Sequence, residues 1–249
     1  MGIFNRNLRV SAPEQNFQTK KYSSRTAFNG KIEDSFQYSS PAKLCSEQEI
    51  RKMIAQNPEI ERILAKNNLP LELNMDELKN VMSEHARETV EISSAIAKNL
   101  PASLKQYVDI KSLKEGALLH DFGKVLIPRE ILNKPGSLSP EEYRIMGLHT
   151  ELGYELLKNS GLSEESLKLV RYHHLKELPP DINLQILNLA DRYSALTEKR
   201  VYKDAYSNQK ALMVLYSDVK NGNINPLIFN ALVQSISYQP PQINSSKQL

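Results

Sequence analysis

The sequence predicts an all-α fold, a helical bundle behind a flexible N-terminal tail, and three observations predict it. From Ser46 onward apolar residues recur at helical spacing with almost no alternating strand pattern. Cap residues punctuate that stretch at short intervals. The first 45 residues, by contrast, show neither period. At 249 residues the chain is long enough for one large domain or two small ones.

Taken in order, residues 1–45 are rich in Asn, Gln, Ser and Lys with scattered aromatics (Phe4, Phe17, Phe28, Phe36), the composition of a disordered, solvated tail. Ser46 with Glu49 makes a capping-box pattern and opens a helix over 46–56. Asn57 before Pro58 is a cap followed by proline at the first helical position, and it opens 58–67. Residues 46–74 thus read as a short helical N-terminal region. The bundle itself, 75–238, begins with a long helix over 75–99 and continues through 101–108, 111–121 and 128–133. Ser139, Pro140 and Glu142 combine both start signals for 140–158, and 163–174 and 182–198 follow. Ser207 opens 207–220, which Asn221-Gly222 closes, and Asn225-Pro226 opens 226–237. Gln239-Pro240-Pro241-Gln242 ends the structure, leaving 239–249 as a disordered C-terminal tail. Nine glycines leave little room for a glycine-rich phosphate loop, and none is found.

Composition narrows the function. The chain is 40% hydrophobic and 24% charged, and no stretch approaches the roughly 18 uninterrupted apolar residues of a membrane span. The N-terminal residues from Met1 to Arg6 lack the apolar core of a signal peptide, and Arg6 stands where a myristoylation signal needs Ser or Thr; a cytoplasmic location is expected. The single Cys45 has no internal disulfide partner and cannot build a thiolate zinc site, so any metal is held by nitrogen and oxygen. Residues 1–45 carry seven Lys or Arg against three Asp or Glu, so the net charge of +3 lies in the tail and the remaining 204 residues sum to about −1. That is too thin for the clustered basic face of a nucleic-acid binder, and a nucleic-acid partner is not expected.

The five histidines, His85, His120, His149, His173 and His174, are the most informative residues. The stripe Leu78, Val81, Met82, His85, Ile92, Ile96 sends His85 inward, and Ile145, His149, Leu152, Leu156 does the same for His149. On the helix from Ile182 the face through Leu184, Leu187, Asp191 and Ser194 carries a carboxylate among leucines, which needs a cation. Two adjacent pairs, His120-Asp121 and His173-His174, stand near helix ends. This matters because neighbours in a helix point about 100° apart and serve one site only where the helix is ending. A lone histidine on an apolar face is ordinarily a hydrogen-bonded core residue. Four imidazole-bearing segments with two carboxylates would each need a separate polar partner, and a shared metal site satisfies them together. A donor set of imidazole and carboxylate suits iron or manganese, with two ions bridged by an Asp, and zinc is left open.

The run Ala117-Leu118-Leu119-His120-Asp121-Phe122-Gly123-Lys124, then Ile127-Pro128 and Ile131-Leu132-Asn133-Lys134-Pro135-Gly136, resembles the HD-domain phosphohydrolases, specifically the HD-GYP branch. The likeness continues through Leu138-Ser139-Pro140-Glu141-Glu142, His149, Glu151-Leu152-Gly153, Tyr172-His173-His174 and Leu189-Ala190-Asp191-Arg192-Tyr193-Ser194-Ala195-Leu196-Thr197. It covers roughly residues 75 to 236. The resemblance implies an HD-domain-like bundle with a two-metal centre held by His85, His120, Asp121, His149, His173, His174 and Asp191, Asp121 being the bridge. It implies Lys124 as a catalytic and substrate-binding cation, with Arg200 and Lys203 as further phosphate contacts. The implied reaction is hydrolysis of a nucleotide or cyclic dinucleotide such as cyclic di-GMP by a water activated between the metals, with Asp121 and Lys124 in the catalytic roles. Three departures qualify it. The chain passes from His174 through Leu175-Lys176-Glu177-Leu178 to Pro179-Pro180-Asp181 without the GYP loop. Val81 stands where some three-metal members place a Glu, and Ser194 replaces the second Asp of the family's Ala-Asp-x-x-Asp-Ala-Leu. The alternative is a weak or inactive signalling module that binds a nucleotide or protein partner. A homodimer is left open.

Overall fold

The computed structural model describes residues 46–81, 84–175, 177–198 and 205–237, the side chains of 80, 81 and 237 excepted. Both expected tails, as well as Arg200 and Lys203, lie outside them. All regular structure among the described residues is helical: α1 Glu47–Ala55, α2 Pro58–Lys66, α3 Met75–Val81, α4 Glu84–Asn99, α5 Ala102–Lys105, α6 Ile110–Leu119, a 3₁₀ turn Phe122–Leu126, α7 Arg129–Leu132, α8 Pro140–Gly147, α9 His149–Leu157, α10 Glu164–Tyr172, α11 Ile182–Thr197, α12 Asn208–Lys220 and α13 Pro226–Ser237. None of these is long and apolar enough to cross a membrane.

The caps act largely as the sequence predicts, with three departures in the helices they open or bound. Ser139 accepts from the Glu142 N–H while the Glu142 carboxylate accepts from the Ser139 N–H, a complete capping box, whereas Ser46 only accepts from the Glu49 N–H. The stretch 140–158 is two helices: the Leu148 N–H bonds three residues back to the Ile145 carbonyl at 3.0 Å, a tightened turn that ends α8 and restarts the chain at His149. The expected helix over 101–108 shrinks to four residues because Pro101 offers no side-chain cap.

Two apolar cores stand side by side. The first gathers Val90 and Ile96 of α4, Leu113 and Ala117 of α6, Leu187 and Tyr193 of α11, Leu215 of α12 and Leu232 of α13. The second gathers Ile50 of α1, Ile60 and Leu64 of α2, Leu78 of α3, Phe122 and Val125 of the 3₁₀ turn, and Leu152 and Leu156 of α9. Helices α6 and α10 feed both: Leu113 and Leu169 face the first core, Leu119 and Val170 the second. Residues 46–66 are therefore built into a core. Asn57 caps α2, and its amide donates to the Glu155 carbonyl and carboxylate of α9 at 2.8 and 2.7 Å.

Two glycines let backbones approach at the seam. A β-carbon on Gly116 would lie 2.5 Å from the Leu169 β-carbon, so this residue lets α6 pack close against α10. A β-carbon on Gly123 would lie 2.0 Å from the His149 carbonyl oxygen, so only glycine lets the 3₁₀ turn rest on the start of α9.

Candidate metal centre

Every histidine and both aspartates singled out in the sequence converge on that seam. His85 comes from the first turn of α4, His149 opens α9, and Asp191 lies within α11. His120 is the C-cap of α6 with Asp121 next, and His173 is the C-cap of α10 with His174 next, so both adjacent pairs sit where their helices end. Gly116 and Leu169 each stand one helical turn before a C-cap histidine. Their close contact brings the His120 and His173 rings to 5.0 Å.

The ligating atoms form two groups, Asp121 with His149, His173 and His174, and His85 with His120 and Asp191, the atoms of each within 4.8 Å of one another. Asp121 joins them. Its Oδ1 lies 3.4 Å from His149 Nε2, while its Oδ2 lies 3.3 Å from His120 Nε2 and 3.9 Å from His85 Nε2. Asp191 Oδ1 is 3.2 Å from His85 Nε2 and 3.6 Å from His120 Nε2, and its Oδ2 is 3.8 Å from His174 Nδ1. Six of the seven side chains are buried or nearly so; His174, at 46% exposure, forms the rim.

Helix ends also set the tautomers. The last carbonyls of a helix lack a backbone partner. Here the Nδ1 of His120 bonds the Ala117 carbonyl at 2.8 Å, that of His149 the Met146 carbonyl at 2.6 Å, and that of His173 the Val170 carbonyl at 2.9 Å. Each ring then donates through Nδ1 and turns Nε2 into the site, the arrangement that ligand histidines use. The Asn188 amide adds a bond to the His173 carbonyl at 2.8 Å.

Electrostatics agree with a site built for cations. Burial lowers His149 to about 4, against the pull of Asp121, and burial with the neighbouring imidazoles lowers His173 and His174, so all three are neutral donors near pH 7. Burial would lower His120 too, but the carboxylates of Asp121 and Asp191 raise it to about 10. Burial resists ionisation of both aspartates; Lys124 and His120 nevertheless hold Asp121 well below the carboxylate range, and His120 and His85 do so for Asp191. His120 Nε2 is buried without a hydrogen-bond partner, faced by two carboxylates. The two anions call for positive charge at this nitrogen, supplied by the imidazolium proton when no metal is bound; a metal cation would replace that proton, and the nitrogen and oxygen donors fit one.

Lys124 Nζ reaches Asp121 Oδ2 at 2.6 Å from the 3₁₀ turn, and that carboxylate keeps it an ammonium despite burial. The sequence reading missed Gly116, Asn188 and Glu88. A glycine inside a helix one turn before His120 was the available signal for the first; nothing marked the other two.

The HD domain family model matches residues 82–196. A cyclic di-GMP phosphodiesterase of Thermotoga maritima is 31% identical over 166 residues, covering 58% of this chain and 43% of that protein. A 3'3'-cGAMP-specific phosphodiesterase of Vibrio cholerae is 27% identical over 163 residues, 61% and 37% of the two chains. The chain thus spans less than half the length of these relatives. Among solved structures, the HD domain of the L. monocytogenes phosphodiesterase PgpH has a TM-score of 0.47 at 15% identity, covering 77% of this chain and 98% of that one.

Proposed function

We propose that the chain, whose residues 82–196 match the HD domain family model, is a metal-dependent phosphodiesterase acting on a cyclic dinucleotide or related nucleotide phosphoester at two divalent cations, iron or manganese rather than zinc. One observation carries this reading: the two oxygens of Asp121 face separate ligand groups 3.4 and 3.3 Å away, the placement a bridging carboxylate needs. The activities of these relatives, on cyclic di-GMP and cGAMP, support the substrate class.

His149, His173, His174 and Asp121 would hold one cation, and His85, His120, Asp191 and Asp121 the other. When bound, such a pair supplies Lewis acidity toward phosphoryl oxygens and lowers the pKa of water. The chain's own residues do the rest. His149, His173 and His174 enter as neutral imidazoles without giving up protons, and Nδ1 bonds to helix-end carbonyls fix the direction of His149 and His173. The Lys124 ammonium, a quarter exposed, stands at the edge of Asp121 where it would neutralise charge on the transferring phosphoryl group. Arg200 and Lys203 would grip a further phosphate. The bundle 75–238 is the proposed catalytic unit.

The test is metal analysis of protein purified without chelators, followed by a panel of phosphomonoesters, nucleotides and cyclic dinucleotides. Two equivalents of metal with turnover of a cyclic dinucleotide is the expected result. Metal-loaded protein that binds ligand tightly without product would replace the enzyme with a binding module, a reading favoured by the short connection from His174 to Asp181. Lys124→Ala is expected to slow hydrolysis on the order of a hundredfold with metal content unchanged; loss of metal together with rate would make Lys124 part of the scaffold.

A further inference from the structure

His85 differs from the other three buried rings in how it is held. It lies in the first turn of α4, where no helix-end carbonyl is at hand, and its Nδ1 instead meets the Ser194 hydroxyl of α11 at 3.1 Å. The Ser194 O–H donates to the Glu88 carboxylate at 2.7 Å, and Glu88 stands one turn after His85 on α4. Ser194 is fully buried. A hydroxyl has one proton, so while Ser194 gives it to Glu88 the oxygen can only accept from His85. Ser194 is also where the resembled family carries an Asp, which could accept from a ring directly; here the negative charge stands one residue further away.

We infer that Glu88 and Ser194 are positioning residues for the His85 ligand: the Glu88 carboxylate orients the Ser194 hydroxyl, which takes the His85 Nδ1 proton and turns Nε2 toward the metal centre. The inference rests on the two-ion reading. Asp191 Oδ1 stands 3.2 Å from that Nε2, within hydrogen-bond reach, so in the metal-free protein this carboxylate competes for the ring proton that the relay holds on Nδ1, and a bound cation would take the proton's place at Nε2. The Glu198 carboxylate approaches the same Nδ1 at 3.7 Å, beyond hydrogen-bond reach, and reinforces the proton's place without holding it. Without the Glu88 acceptor the Ser194 proton becomes free to point at Nδ1. The ring then carries its own proton on Nε2, hydrogen-bonded to Asp191, and is closed as a ligand.

Two readouts test this on the full chain with Glu88→Ala, Ser194→Ala and the double variant. The first is the nitrogen chemical shifts of His85 in metal-free protein, above the ordinary histidine pKa. Wild type is expected to hold the proton on Nδ1 and Glu88→Ala on Nε2. The second is chelator competition with manganese. One of the two bound equivalents is expected to weaken by about tenfold to a hundredfold in either single variant, the other to stay unchanged, and the double variant to be no worse than the singles because both break one relay. Glu88 is partly exposed, so its substitution keeps the test available if Ser194→Ala does not fold. A wild-type proton on Nε2, unchanged metal affinity in Glu88→Ala, or the same loss from Glu198→Gln would each overturn the relay. Wild-type protein that binds no metal would instead overturn the two-ion reading, and the tautomer measurement would still judge the relay.

Discussion

Asp121→Ala is expected to empty the metal centre and lower turnover by at least about a thousandfold while helicity is largely kept. Asp121 places its two oxygens 3.4 Å from His149 of one group and 3.3 Å from His120 of the other, closer than the 3.8 Å at which Asp191 reaches across to His174, so its loss weakens both at once. The same change strips a counter-charge from two cations, Lys124 at 2.6 Å and His120 at 3.3 Å. Lys124 can swing toward solvent, whereas His120 is fully buried and will shed its proton, its raised value of about 10 falling once the carboxylate is gone. The protein therefore survives by neutralising the imidazole and does not keep an unpaired buried charge. Elemental analysis of the purified variant, circular dichroism and the hydrolysis assay check the three parts. Full activity in this variant would sink the mechanism.

Gly123→Ala is expected to be the most damaging Gly-to-Ala change among the described glycines. The added carbon would meet the His149 carbonyl oxygen at 2.0 Å and the Gly153 nitrogen at 2.5 Å, both backbone atoms that no rotamer change can move. Overpacking ordinarily costs about 1–3 kcal/mol, and a backbone clash lies at or above the top of that range. For a chain of this size that corresponds to a fall in melting temperature on the order of 10 °C. The 3₁₀ turn must lift off α9, which draws Asp121 away from His149, so metal affinity is expected to fall with stability. Gly147→Ala is the matched control. No atom lies within 4 Å of its added carbon, and the same thermal melt is expected to show little change.

Much of this arrangement was legible in the sequence because each ligand is marked by a conflict with its surroundings. His149 and Asp191 interrupt apolar stripes at helical spacing, and a polar group on a buried face has to be answered by something. The cap residues were legible for a local reason: Asn57, Ser139 and Ser207 accept from backbone N–H groups two or three residues on, which depends on no distant part of the chain. The joint at Leu148 and the 3₁₀ turn after Asp121 were not legible, since a tightened turn has the same composition as the helix it interrupts. Glu88 was invisible for a different reason. Its partner lies 106 positions away on another helix, and a Glu on a half-exposed face reads as ordinary solvation.

The placement of the ligands between two cores has a thermodynamic consequence. Asp191 and His85 belong to helices of the first core and His149 to a helix of the second, so any ion gripping both sets cross-links the halves through side chains alone. Binding that favours the folded state raises stability by about 2.7 kcal/mol at a hundredfold excess of ligand over its dissociation constant. Withdrawing such ions would loosen the boundary between the cores and leave each interior intact. A rise in melting point on adding a divalent cation would therefore report metal binding before any substrate is known.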